Sequence, residues 1–313
     1  MHQVEISSPK TGLFARLWQT PTLLLALATL FWAGNFVVGR AILTETPPVA
    51  LAFWRWTLAL IPILWLGWKH WDIPQELRAI KANWPLITIL AILGIGCFNT
   101  FVYFGLQQTS SVNALLLQSA MPLLILIVCF LIFGERPRIL QLLGVILSLG
   151  GVVFIATRGH PEALMQMQVN AGDLWVFAAV VAYAFYSALL RKKPVMHPLS
   201  FLAITFAIGS IVLLPFYIRE HMSGQIMHLS SSNIGALAYL VIFPSFLAYL
   251  FFNRGVELLG AARAGLFIHL IPVFGSVLAL TFLGEGFEVF HIVGAGLIAT
   301  GLIIASRKAA AKK

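Results

Sequence analysis

Acidic residues are scarce in this chain of 313 residues: 11 Asp and Glu stand against 20 Lys and Arg, and only 10% of positions are charged. So low a charged fraction excludes an ordinary soluble domain, which needs far more charge to cover its surface. None of the 11 acids falls near the middle of a long apolar run, where carriers commonly hold a carboxylate for a coupling proton or sodium ion. The only two cysteines, Cys97 and Cys129, both lie inside apolar runs. They read as reduced, small core residues rather than as a disulfide or metal site, and neither a metal nor a cofactor is expected. No long linker, low-complexity tract or soluble domain interrupts the chain.

What remains is mostly apolar: 60% of residues are hydrophobic and the mean hydropathy is +0.92. This composition implies an all-α polytopic membrane protein. With about 20 apolar residues needed per span, ten spans are expected near 21–42, 48–68, 84–106, 112–133, 140–157, 173–190, 199–217, 233–252, 264–283 and 289–306. If both termini face the cytoplasm, 16 of the 20 Lys and Arg lie inside and three, Arg40, Arg158 and Arg219, lie outside, leaving Arg55 within a span. That asymmetry supports an N-in, C-in topology. The net charge of +9 then reports topology and contact with anionic lipid heads, and calls for no nucleic-acid partner. The first apolar run follows Lys10 and Arg16 and is full length, so it is expected to be an anchor rather than a cleaved leader.

The stretch from Leu90 to Arg158 recurs 150 positions on, from Leu240 to Lys308, and aligns Gly105/Gly255, Ala114/Ala264, Pro122/Pro272, Gly134/Gly284, Glu135/Glu285, Gly144/Gly294 and Gly151/Gly301. The chain therefore reads as a single transporter domain, 1–313, built from two five-helix repeats, 20–158 and 172–306. An odd number of spans per copy inverts the second relative to the first. Inverted repeats are typical of secondary transporters, whose site lies near the bilayer midplane between the halves.

Polar residues inside spans are costly and so carry functional information. In span 3, Asn99 and Tyr103 share a helical face; in span 8, Ser245, Tyr249 and Asn253 form a stripe at the same spacing. Asn99 aligns with Tyr249 and Tyr103 with Asn253. Spans 1 and 6, offset by 151, pair Trp32 with Tyr183, Asn35 with Tyr186 and Phe36 with Ser187. Gln118, Ser119 and His269 sit just before the matched Pro122 and Pro272. A proline within a span frees a carbonyl and permits a bend, which makes spans 4 and 9 candidate gates. All these residues are expected to face one wet cavity, although each could instead bond only to a neighbouring helix.

Arg55 has two readings: an anchor for a substrate carboxylate, or a side chain that snorkels to the rim. His269 could relay protons or be a satisfied hydrogen-bonder. Glu135 and Glu285, each in a Gly-Glu pair, are expected to cap or brace the following helix. Spans 5 and 10 are rich in small residues and read as packing elements, within the monomer or between the protomers of a possible homodimer. A membrane enzyme is a remote alternative, because the only tempting pair, Ser119 and His269, lacks an acidic partner.

Trp32-Ala-Gly-Asn-Phe36, Pro47-Pro48 leading to Arg55, and the doubled pattern of a mid-helix Pro followed thirteen residues later by the Glu of Gly-Glu and then a Gly-rich helix resemble the EamA family of the drug/metabolite transporter superfamily. Within it the chain is most similar to the YddG-like amino-acid exporters. The resemblance implies ten helices in two inverted halves, a bacterial inner-membrane location and export of amino acids or related metabolites by alternating access. The small multidrug-resistance relatives use a Glu in their first helix, where this chain has Asn35, so proton-coupled cation efflux is disfavoured. An aromatic, neutral-polar cavity suits a small zwitterion; aromatic and other neutral amino acids are the expected substrates, moved by facilitated diffusion or exchange. Efflux of lipophilic cations is the alternative. Membrane lipids are the other expected partner.

Overall fold

The computed structural model of the protein describes residues 13–42, 46–166, 170–227, 230–282 and 288–306. Among these the regular structure is entirely helical. After a short helix, Leu13–Trp18, come α1 (Pro21–Ile42), α2 (Pro48–Gly67), α3 (Ile73–Leu106), α4 (residues 111–133), α5 (Ile139–Ala156), α6 (Ala171–Leu190), α7 (Pro198–Met222), α8 (residues 231–259), α9 (residues 261–282) and α10 (Val289–Ser306). Among the described residues, nine stretches are long and apolar enough to cross a membrane; in α1 the stretch that qualifies as apolar, Pro21–Asn35, is shorter.

Two of the differences from the expected spans have local causes. Helix α3 begins eleven residues before the expected Trp84, because Ile73–Ala91 opens with an Asp72 cap on Gln75 N and passes a kink at Asn83 (φ −126°, ψ 18°) without ending. Helix α7 extends past Tyr217 to Met222. Its last turn carries Glu220, whose carboxylate accepts from Val49 N (3.1 Å) and Ala50 N (2.6 Å). A carboxylate is favoured at a helix N-terminus, and Pro48 at the first helical position of α2 has no N–H to satisfy.

Packing follows an exchange pattern. The second half of α3 lies against α6 as the second half of α8 lies against α1, while α4 meets α6 as α9 meets α1; α2 packs on α7, and α5 on α10. Individual contacts repeat too. A Cβ on Gly105 would meet Val176 of α6 at 2.4 Å, and one on its counterpart Gly255 would meet Leu25 of α1 at 2.5 Å; Leu25 and Val176 are 151 positions apart.

The small faces of α5 and α10 pack within the monomer. A Cβ on Gly144 would lie 2.5 Å from Gly301 O and one on Gly301 2.5 Å from Gly144 O; Gly151 and Gly294 mirror this at 2.6 and 2.9 Å. Only glycine lets the two backbones approach so closely. Gly150 and Gly296, on the same helices, meet nothing within 4 Å.

Four helices are irregular, at matched positions. Helix α3 contains a π-helical turn, Ile92–Cys97, and α8 contains one at Val241–Leu247, 150 positions on. Helix α4 breaks between Ser111–Gln118 and Met121–Phe133. Helix α9 passes from Ala261–Leu266 through a 3₁₀ turn, Phe267–His269, into Leu270–Phe282. The breaks fall just before Pro122 and Pro272, where bends were expected. Such turns leave carbonyls free of their helical partners, and π-turns in particular cluster at functional sites.

Candidate functional site

The polar centre of the fold is Arg55, which is 0% exposed. Its Nε donates to Ser245 Oγ of α8 (2.9 Å), and its Nη1 to Asn35 Oδ1 of α1 (2.9 Å), to Asn99 Oδ1 (3.0 Å) and to the Tyr103 hydroxyl of α3. Tyr103 in turn donates to Asn35 Oδ1 (3.2 Å), and the guanidinium carbon lies 4.8 Å from the Trp56 ring centroid. The side chain therefore does not snorkel to a rim. Among the described residues no carboxylate lies within 4.0 Å of it. Holding an unpaired charge away from water costs several kcal/mol, and the neutral oxygens around it offset only part of that.

Asn35 and Asn99 also line a narrow pocket with Trp32, Phe98, Val102, Gln118, Met121, Tyr183, Ile268 and Ile271. Its volume, about 20 Å³, corresponds to about one water molecule. Three lining residues carry buried polar atoms without a hydrogen-bond partner among the described residues: Asn99 Nδ2, Gln118 Nε2 and the Tyr183 hydroxyl. Arg55 sits one layer behind, reached through the two asparagines.

The structure distributes the expected cavity residues between this pocket and its surroundings. Trp32, Asn35, Asn99, Gln118 and Tyr183 line the pocket, but Tyr103, Tyr186, Ser187, Ser245, Tyr249 and Asn253 do not. The tyrosines interlock behind it: Tyr249 lies 5.1 Å from Trp56, 5.9 Å from Trp32 and 6.0 Å from Tyr186 between ring centroids, and Tyr183 lies 5.2 Å from Tyr186. Tyr186 donates to Asn253 Oδ1 (2.9 Å), and Ser187 is fully buried. The Phe36 side chain lies outside the described set.

Ser119 and His269, 150 positions apart, do touch, but through the backbone: His269 Nε2–H donates to Ser119 O (2.8 Å). This pins the α9 break to the α4 break. The Ser119 hydroxyl is turned to Leu116 O, so there is no Ser–His nucleophile pair. Glu135 does not brace the following helix; its carboxylate pairs with Arg191 at 2.5 Å, just past the end of α6, and raises the Arg191 pKa further. Glu285 lies outside the described residues.

Reading the sequence missed the carbonyls released by the π-turns. Pro244 has no N–H, so Leu240 O accepts from Ser245 Oγ instead (2.7 Å), and Pro244 O accepts from Trp32 Nε1 (3.1 Å). At the matching position Gly94 O accepts from the Tyr249 hydroxyl (2.6 Å). A glycine and a proline at equivalent positions in otherwise apolar spans were the available signal.

The chain matches the EamA-like transporter family twice, over residues 19–157 and 170–307. It is 28% identical over 279 residues to a Bacillus subtilis protein named "Uncharacterized transporter YyaM", covering 89% of this chain and 90% of that one. An "Uncharacterized transporter" of Archaeoglobus fulgidus is 29% identical over 290 residues, covering 91% and 97%. The "Uncharacterized inner membrane transporter YicL" of Salmonella typhimurium is 24% identical over 283 residues, covering 90% and 93%. A crystal structure with 20% identity superposes with a TM-score of 0.74 over 91% of this chain and 96% of that one, a likeness of fold.

Proposed function

This chain belongs to the EamA-like transporter family and is a multi-pass membrane transporter; from that premise we propose that it exports aromatic and other neutral amino acids, or similar small metabolites, by facilitated diffusion or exchange. The observation that carries this reading is Arg55, a fully buried cation with no carboxylate partner among the described residues. A substrate carboxylate that reaches Arg55 once the helices part supplies the missing charge. The unpartnered amide donors of Asn99 and Gln118 are suited to its oxygens, and the rings of Trp32, Phe98 and Tyr183 to an apolar side chain.

A pocket of about 20 Å³ holds no amino acid, so loading requires the helices to part. The two units, 20–158 and 172–306, act as inverted halves that rock about the site, with the breaks before Pro122 and Pro272 as the bending points and the His269–Ser119 bond holding the closed arrangement. Both termini face the cytoplasm of a bacterial cell, in whose inner membrane the protein resides; the name of the Salmonella relative and the Lys/Arg asymmetry support this placement. An aromatic site also suits a lipophilic cation, but a guanidinium one layer behind the pocket repels one.

The test is counterflow in liposomes carrying the purified protein. Preloaded unlabelled tryptophan should drive entry of labelled tryptophan with no pH gradient. Flux of lipophilic cations alone, driven by a pH gradient, would sink this reading.

A further inference from the structure

At the arginine-rich end of the molecule a concave pocket of about 260 Å³ is lined by Arg136, Arg138, Arg191 and Arg263, with Glu135 and Gln141 between them. Four guanidiniums and one carboxylate leave a net charge of +3. Glu135 is committed to Arg191 at 2.5 Å. Among the described residues no carboxylate lies within 4.0 Å of Arg136, Arg138 or Arg263. Nearby cations are treated differently: Glu257 pairs with Arg254 at 2.8 Å and with Lys193 at 3.5 Å.

The fold does not require these arginines. The repeat counterparts of Arg136, Arg138 and Arg263, 150 positions away, are Gly286, Glu288 and Asn113, and only Arg191, matched by Arg40 at an offset of 151, has a basic counterpart. The architecture is thus built in the other copy without a cluster of four arginines, although the Lys/Arg asymmetry between the two sides accounts for part of that difference. Nor is the choice of cation incidental: every cation lining the pocket is arginine, whose planar fork matches phosphate oxygens in a way that lysine does not. The pocket opens beside the N-terminus of α5, whose preceding residue, Arg138, makes no side-chain cap. The amides of that first turn add to the positive field.

We propose that this pocket is a binding site for a phosphate group, distinct from the Arg55 site, supplied by an anionic phospholipid headgroup or by a soluble phosphate. Its volume falls below the roughly 300–1,000 Å³ of pockets that hold drug-sized ligands and suits one phosphate with the start of its ester arms. Arg136 and Arg138 lie between α4 and α5, Arg191 follows α6, and Arg263 lies in the first turn of α9. An occupant therefore ties the connection between α4 and α5 to the end of α6 and the start of α9.

The test uses the whole purified protein in detergent, titrated with dioleoyl phosphatidylglycerol or dioleoyl phosphatidylcholine and read by native mass spectrometry. In parallel, thermal unfolding is followed in inorganic phosphate against chloride of equal ionic strength. Saturable binding of phosphatidylglycerol but not phosphatidylcholine identifies a lipid source; a saturable phosphate shift without lipid selectivity identifies a soluble one. Either binding should weaken roughly 100-fold in the Arg136→Gln, Arg138→Gln, Arg263→Gln variant, taking about a fivefold loss per cation. Equal binding of both lipids with no phosphate-specific shift overturns the proposal, and so does selective binding that survives unchanged in the triple variant. If that variant proves unstable, Arg136→Gln alone is read in its place: about a fivefold weakening is expected, and unchanged binding overturns the proposal.

Discussion

Replacing Arg55 by methionine separates an anchor for substrate from a structural strut. The substitution keeps an apolar stem against Trp56 and removes the guanidinium. Two of its partners keep another bond: Asn35 Oδ1 still accepts from Tyr103, and Ser245 Oγ still donates to Leu240 O. Asn99 Oδ1 loses its donor, which costs about 1–3 kcal/mol for a buried group. Against this, the protein no longer holds an unpaired charge out of water, a relief of several kcal/mol. The two nearly cancel, so the expected net change in stability is within about 2 kcal/mol, or about 3 °C in melting temperature for a chain of 313 residues. Binding behaves differently. A charge-assisted bond to the substrate carboxylate contributes about 1.5–3 kcal/mol, so its loss should weaken tryptophan binding by roughly 10- to 150-fold. The assay pairs thermal unfolding in detergent with tryptophan binding to the folded fraction. A melting temperature lowered by more than about 15 °C, with unchanged affinity in the molecules that remain folded, would instead make Arg55 a structural strut that does not touch the substrate.

Other substitutions test the architecture. Gly144→Ala or Gly301→Ala places a methyl 2.5 Å from a backbone oxygen on the facing helix and should destabilise by about 1–3 kcal/mol. Gly150→Ala and Gly296→Ala, which meet open space, should be neutral or stabilising by up to about 1 kcal/mol; equal losses at all four positions in thermal unfolding would show that α5 and α10 do not pack as described. Trp32→Phe and Tyr249→Phe each strip the donor from a carbonyl released by a π-turn and should cost a similar amount, about 1–3 kcal/mol, measured the same way. His197 caps α7 by accepting from Leu199 N; burial, and then the neighbouring His70, hold its pKa below the ordinary 6.5. The unfolded chain thus takes up a proton more readily than the folded one, so this stabilisation is complete above about pH 6.5 and is lost as pH falls through the lower folded value. Melting temperature should drop between about pH 7 and pH 5, and His197→Asn, which caps without titrating in this range, should flatten that slope.

The parts of this structure legible in the sequence were those fixed by helical period and by the repeat. Asn99 and Tyr103, four residues apart, do converge on one partner, and the prolines at 122 and 272 do mark helix breaks. Arg55 stood out as an isolated charge in an apolar run, though only the structure removes the snorkelling alternative. The π-turns were not legible: the extra residue in each shifts the helical register of the residues after it, and a stripe drawn at uniform spacing through Ser245, Tyr249 and Asn253 ignores that shift. Nor does side-chain periodicity distinguish a ring facing a cavity from one interlocked with other rings, which is why Tyr186 and Tyr249 belong to packing in this arrangement. The reciprocal fit of Gly144 with Gly301 needed the tertiary contact, since a small face on its own names no partner.

The most direct test of the central claim, that Arg55 holds a substrate carboxylate, is competition for labelled tryptophan exchange in liposomes by unlabelled tryptophan and by tryptamine, which keeps the ring and the amine and lacks the carboxylate. Tryptophan is expected to compete and tryptamine to fail, with Arg55→Met abolishing the distinction. Competition by tryptamine as strong as that by tryptophan in the native protein would contradict the account and favour a site built for cations.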